Sequence, residues 1–310
     1  MADKSIPREM PFSNFRIAIG KIKRHHSNLK TIKLLGGEPT LHSEFEKIVN
    51  YALKYFTFVR IFTNGLFSTK TSSFMEQKTP RVTFMFNIAT PTFLYNDKAR
   101  KIIEEYIYKF SILTNVDISL TLDPSFDVNT FFDKLTRTKF LTKISSMRLG
   151  VRNPEAKSKN LFGFKQFPII GNKVISLIKN FKKINNNLLF ILDCGFTKCM
   201  FTQNQWIFLK KMKCAKITSS GCLNNLDILT NLNVIPCYPL SQEYNLDLKR
   251  YSIKKIRANF IVRKYIYENE YSLNECKKCQ YNISKKGTCL GPCYGFKMNS
   301  YFQNNNFKLE

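Results

Sequence analysis

The stretch TIKLLGGEPTLHSEFEKIVNYALKYFTFVRIFTNG, Thr31 to Gly65, holds two short β-rich runs on either side of one helical pattern. TIKLL and FVRIFT read as strands from their β-branched and aromatic content. Between them Phe45, Ile48, Val49, Ala52 and Leu53 recur at helical spacing and give one apolar face. Ser43 and Glu46 have the spacing of a capping box at that helix's start. Strand, glycine turn, helix and second strand make a βα unit, so the expected pairing is parallel.

The same rhythm runs outward to about Asp193. RVTFMFNI, DISLTL, SMRLGV and LLFIL bring the expected strands to six. Phe15, Ile19 and Ile22 mark a helix before the first strand, and Ile103, Tyr106, Ile107 and Phe110 mark a later one. This alternation predicts an α/β fold, a (β/α) barrel or part of one, whose working face is the rim at the strands' C-terminal ends. The first strand is followed by GGEPT and the second by TNG, while the third carries Asn87 near its end. At Gly36 and Gly37 the missing side chains allow a ligand to approach the backbone. Glu38 places a carboxylate at the rim that can hold an ammonium group, and Pro39 and Thr40 stiffen the turn.

The 310 residues suffice for one large core with a smaller annex. Forty-nine Lys and Arg against 22 Asp and Glu give a formal charge of +27, which would steer an acidic partner. The excess is mostly Lys accompanied by many Asn, Ile, Phe and Tyr, the residue set of an AT-rich genome, so nucleic acid is not favoured as the partner. MADKSIPREMPFSNF has no apolar signal core, and no run of eighteen apolar residues offers a membrane span. A cytoplasmic protein with no membrane partner is the expectation.

All nine cysteines lie after Asp193. The densest run is Cys276-x2-Cys279-x9-Cys289-x3-Cys293, preceded by Cys194-x4-Cys199 and by Cys222 and Cys237, which bracket the hairpin-like CLNNLDILTNLNVIPC. In a reducing compartment clustered thiols read first as metal ligands, and thiolate sets select zinc or iron–sulfur clusters. Cys214 has no close partner and reads as a small buried hydrophobe. His25, His26 and His42 have no metal-binding spacing, and no Ser, His and Asp set suggests hydrolysis.

In its strand, turn and helix setting GGEPT closely resembles the motif of the radical S-adenosylmethionine superfamily, and the helix, strand and TNG turn that follow extend the resemblance. It implies that Gly36, Gly37, Glu38 and Pro39 form the loop contacting the cofactor's methionyl amino group. It further implies that Thr63 and Asn64 belong to the next rim segment and that Asn87 contacts the ribose. The rear cysteines resemble the SPASM extension of members that modify peptides and proteins. That likeness implies auxiliary iron–sulfur clusters, of the 4Fe-4S type, drawing ligands from Cys194, Cys199, Cys222, Cys237, Cys276, Cys279, Cys289 and Cys293. The gap between the two close pairs is longer than usual and no cysteine follows Cys293, so the grouping of ligands stays open, with zinc as an alternative. The partners implied are a peptide or protein substrate and an electron donor.

Superfamily members hold their catalytic cluster with C-x3-C-x2-C after the barrel's first strand, and no cysteine precedes Cys194 here. REMPFSNFRIAIGKIKRHH looks like the helix that follows that loop. The expectation is a partial TIM-like barrel of the radical S-adenosylmethionine type over residues 1–192, lacking its first strand, and a SPASM-like Cys-rich metal-binding domain over 193–310. As written, the chain supplies no ligands for the catalytic cluster and no catalytic residue is assigned. Either the reading frame begins upstream or the segment was lost, and S-adenosylmethionine is expected only with that segment. From a different class comes a non-catalytic, metal-stapled module that binds an acidic peptide or nucleic acid.

Overall fold

The computed structural model describes the chain except residues 1–7, 89–90, 153–161, 194, 213–214, 218–224, 242, 283–288 and 305–310. Its main sheet has seven strands: β1 Thr31–Leu34, β2 Phe58–Thr63, β3 Val82–Asn87, β4 Val116–Leu122, β5 Ser146–Val151, β6 Leu189–Leu192 and β7 Ala215–Ile217. They lie in chain order and every neighbouring pair is parallel. Helices α1 Phe12–His25, α2 Phe45–Tyr55, α3 Thr69–Gln77, α4 Pro91–Tyr95, α5 Asp97–Leu113, α6 Val128–Thr136, α7 Phe167–Ile184 and α8 Gln203–Lys211 precede or connect them. An unbroken order with crossovers of one hand puts the helices on one side of the sheet, as in a partial barrel.

The six expected strands are all present. The seventh, β7, was not expected: its three residues, Ala215, Lys216 and Ile217, are too few to make a legible pattern. It carries the βα rhythm past Asp193. The expected capping box is also absent. The amide and hydroxyl of Ser43 donate to the carboxylate of Glu9, at 3.1 and 2.5 Å, and no side chain caps α2. A carboxylate from a distant part of the chain has displaced the local partner.

Alternation along the strands produces two unlike faces. On the helix side, Val59, Ile61, Phe84, Phe86, Ile118, Leu120, Leu149 and Phe190 are fully buried against α2, α5, α6 and α7 in the main core. Burying each such side chain contributes roughly 1.5–3 kcal/mol. On the opposite face the register aligns Lys33, Arg60 and Thr83 in one row, Phe62, Met85, Asp117 and Ser146 in the next, and Asn87, Ser119, Arg148 and Ile191 above that. The concave surface of the sheet is therefore mostly polar, with Phe62, Met85 and Ile191 among the charged and hydroxyl side chains.

After β7 the chain forms an antiparallel sheet of β8 Asp227–Ile228, β9 Asn233–Ile235 and β10 Leu246–Asp247, then α9 Ile253–Glu270, α10 Asn274–Lys278 and α11 Tyr294–Asn304. The expected hairpin is β8–β9, and Leu232 enters it at φ +70°. Leu232, Val234, Ile256 and Phe260 pack with Ala18 of α1, while Cys293 and Phe296 join the main core. This segment is thus packed onto the barrel's flank. No helix among the described residues is long and apolar enough to cross a membrane.

Candidate functional site

Three neighbouring strands deliver the expected cofactor residues to one rim. Gly36 and Gly37 follow β1, Thr63 closes β2 with Asn64 just beyond it, and Asn87 closes β3. Glu38 binds these loops together. Its Oε1 accepts from the amide and hydroxyl of Thr40, at 3.2 and 2.6 Å, and from the hydroxyl of Thr63 at 2.9 Å. Its Oε2 accepts from the amide of Asn64 at 2.7 Å. In this structure the carboxylate expected to hold an ammonium group accepts four hydrogen bonds from its own chain.

Thr63 and Asn64 are likewise committed to the turn. Thr63 Oγ1, nearly buried, accepts from the amide of Gly65, and Asn64 Oδ1 accepts from the amide of Leu66. Gly65 sits at φ +83°, and an added Cβ would lie 3.0 Å from Ile103. Gly36 and Gly37 differ. Neither has positive φ, both are exposed, and an added Cβ would meet nothing within 4 Å. Among the described residues neither backbone strain nor packing requires glycine there, so open space fronts two residues without side chains. Asn87 is also exposed, and Pro39 opens a short 3-10 turn capped by Glu38.

Below this rim, ion pairs cross the concave face in three tiers. At the bottom, Arg60 of β2 reaches over β3 to Asp117, which also accepts from the Ser146 hydroxyl. In the middle, Arg148 donates to Asp193 at 2.5 Å and to the Ser119 hydroxyl at 3.0 Å. At the top, Arg152 donates to Asp123 at 3.4 Å beside a pocket of about 370 Å³ lined also by Pro124, Ser125 and Gln166. Burial pushes the Asp123 carboxyl up, but hydrogen bonds from Ser125 and Arg152, with the Arg152 charge, outweigh it and hold it below the usual range. Asp123 closes a turn with the Ser125 amide and hydroxyl, at 2.8 and 2.6 Å, whereas Asp193 pairs with Arg148. The residues between them were missed, although the polar positions of VDISLTL and SMRLGV alternate visibly.

Cys194, Cys214 and Cys222 lie outside the described residues. Of the others, Cys199, Cys276, Cys279 and Cys289 form one neighbourhood in which each thiol's charge bears on others. Desolvation pushes the Cys276 thiol up to about 11 against the opposing charge of Lys297. Cys199 lies at the surface, yet desolvation also raises its thiol, against a 3.0 Å contact with the Thr197 hydroxyl. Cys293 is buried in the main core, and Cys237 packs beside Leu240, Tyr267 and Tyr294. No disulfide joins the described cysteines. Among the described residues no three His, Cys, Asp or Glu side chains close on a point that one ion could occupy.

No protein-family model matches the sequence, and no curated protein matches it. Solved structures do share its fold. SuiB of Streptococcus suis bound to its precursor peptide SuiA superposes with a TM-score of 0.63 at 13% identity, covering 95% of this chain and 67% of SuiB. SuiB bound to S-adenosylmethionine gives a TM-score of 0.62 at 12% identity, covering 91% of this chain and 66% of that one. The protein anSMEcpe with bound AdoMet gives 0.58 at 14% identity, covering 97% and 89%. The chain thus spans about two thirds of the length of SuiB.

Proposed function

We propose that this chain is a radical S-adenosylmethionine and SPASM-like iron–sulfur protein that, when complete, modifies a peptide or protein. Residues 1–192 form its cofactor barrel in this reading, and 193–310 its cluster-binding region. The observation that carries it is the GGEPT loop, whose glycines face open space while Glu38 ties the loop to Thr63 and Asn64. These residues fit the methionyl end of the cofactor. The backbone of Gly36 and Gly37 receives it, Asn87 stands two strands away for the ribose, and Glu38 holds the receiving loop in shape. Bound beside a reduced iron–sulfur cluster, the cofactor supplies one-electron chemistry that removes a hydrogen atom from substrate. No cysteine precedes Cys194, so no C-x3-C-x2-C run stands ahead of the GGEPT loop in this sequence.

The fold likeness to proteins whose structures hold S-adenosylmethionine and a precursor peptide supports the same reading. The polar groups on the concave face suit a peptide, whose amides need hydrogen-bonding partners once water is displaced.

Anaerobic reconstitution with ferrous iron and sulfide, followed by metal and sulfide analysis, tests the proposal. The expected result is iron with labile sulfide in equal amounts and the matching charge-transfer absorption. Protein that takes up zinc alone, and binds nucleic acid with a steep salt dependence, would overturn it in favour of the metal-stapled module.

A further inference from the structure

Asp123 stands one residue past β4 and Arg152 one residue past β5, at the same strand ends that carry the glycine loop. The two strands pair in register up to Leu122 and Val151, and the Arg152 amide donates to the Leu122 carbonyl at 2.8 Å, so the backbone fixes where this side chain begins. Beside the pair lies the pocket of about 370 Å³ that Pro124, Ser125 and Gln166 also line. Gln166 comes from the short turn Phe164–Gln166 that leads into α7.

What this pocket can bind follows from which of its polar atoms are already engaged. Asp123 Oδ1 accepts from the Ser125 amide and hydroxyl at 2.8 and 2.6 Å, and Oδ2 accepts from Arg152 Nη1 at 3.4 Å. Gln166 Oε1 accepts from the Gly163 amide at 2.9 Å. The acceptors of the pocket therefore already have donors from the chain itself. Its donors are another matter: among the described residues Nε and Nη2 of Arg152 and Nε2 of Gln166 have no partner. The Arg152 side chain is 58% exposed, against 19% for Asp123.

Open donors beside engaged acceptors select a ligand that accepts. The fork of a guanidinium matches the two oxygens of a carboxylate and holds them by charge-assisted bonds. An amine would need acceptors that the pocket has already engaged, and an apolar group would take water from the guanidinium and return nothing. The formal charge of +27 draws acidic peptides toward the chain as a whole. The cofactor's own carboxylate is poorly placed for this pocket. β1 and β4 are three strand spacings apart, roughly 10–14 Å on a curved sheet, while the amino and carboxylate groups of a methionyl end share one carbon.

The geometry points to a specificity pocket in which Arg152, oriented by Asp123 and assisted by Gln166, holds the side-chain carboxylate of a Glu or Asp in the peptide substrate. This rests on the peptide-modifying reading above and narrows its substrate to an acidic peptide.

The test is titration of the isotope-labelled full chain with N-acetylglutamate N-methylamide and with its glutamine counterpart, followed by nuclear magnetic resonance. The glutamate probe should move the amide signals of Ser125 and Arg152 and the side-chain signal of Gln166 along one saturable curve. The glutamine probe should bind about tenfold more weakly, the loss expected when charge-assisted hydrogen bonds become neutral ones. Arg152→Gln should abolish that preference. Equal affinity for the two probes in the wild-type chain overturns the assignment without recourse to any variant, and so does a preference that survives Arg152→Gln. Displacement of the glutamate probe by S-adenosylmethionine would also overturn it, because the pocket would then serve the cofactor. A glutamate preference in a chain that takes up no iron or sulfide would support the carboxylate site and overturn the iron–sulfur reading, so the two failures are distinct.

Discussion

The amide of Asn64 donates to Oε2 of Glu38 at 2.7 Å, closing a bond between the loops after β1 and β2. With the Thr63 hydroxyl on Oε1, one carboxylate joins two segments that sequence reasoning treated as separate contacts to a ligand. The geometry of the glycine loop thus depends on a side chain that points into the protein.

Replacing Glu38 by Gln preserves size but removes the charge that strengthens these bonds and forces an amide group onto a donor. Hydrogen bonds to charged groups contribute about 1.5–3 kcal/mol, so Glu38→Gln should lose about 2 kcal/mol of stability in urea unfolding. Glu38→Ala should lose more. An unchanged midpoint for both would mean that the carboxylate does not hold the rim together.

Gly171 has no room for a methyl group, because the Met200 carbonyl occupies that position. Overpacking costs typically 1–3 kcal/mol and sometimes more, and with backbone as the obstacle about 3 kcal/mol is expected for Gly171→Ala. The measurement is thermal unfolding followed by far-ultraviolet circular dichroism. A variant as stable as the wild type would show that α7 and the turn carrying Cys199 are not in contact.

Arg60 and Asp117 face each other with side chains 26% and 12% exposed. Removing one partner leaves the other charge poorly solvated, and Asp117→Leu alone should cost about 3 kcal/mol. A double replacement, Arg60→Met with Asp117→Leu, should cost less than that single change. Additive losses in the double-mutant cycle would argue that the two residues act independently.

Asp123 sets an acid limb. Its folded-state pKa lies below the ordinary value, so the carboxylate contributes stability that is present above about pH 4 and lost as the pH falls through the folded value. Asp123→Asn should therefore lower the melting temperature near neutral pH and flatten its fall below pH 4. Parallel wild-type and variant curves across that range would rule out the carboxylate as a source of acid sensitivity.

The strands, their parallel order and the rim residues were legible in the sequence because each depends on short-range signals. β-Branched runs, helical periodicity and glycine pairs all lie within a few residues. The failures share a long-range cause. Glu9 took over the amide and hydroxyl of Ser43 from thirty-four residues away, and β7 is a strand chiefly because β6 offers it an edge.

By itself, then, the sequence determined the βα alternation, the apolar helix-facing side of the sheet and the supply of thiols. Which thiols meet was decided only by the tertiary structure. Cys276 and Cys289, thirteen residues apart, both come to Gly291, whose amide donates to Cys289 Sγ at 3.4 Å and whose added Cβ would lie 3.2 Å from Cys276 Sγ, and Cys293 packs in the main core. Spacing along a chain encodes local reach. Proximity between segments follows from how apolar faces pack, which distributes position over many residues that the cysteine pattern does not contain.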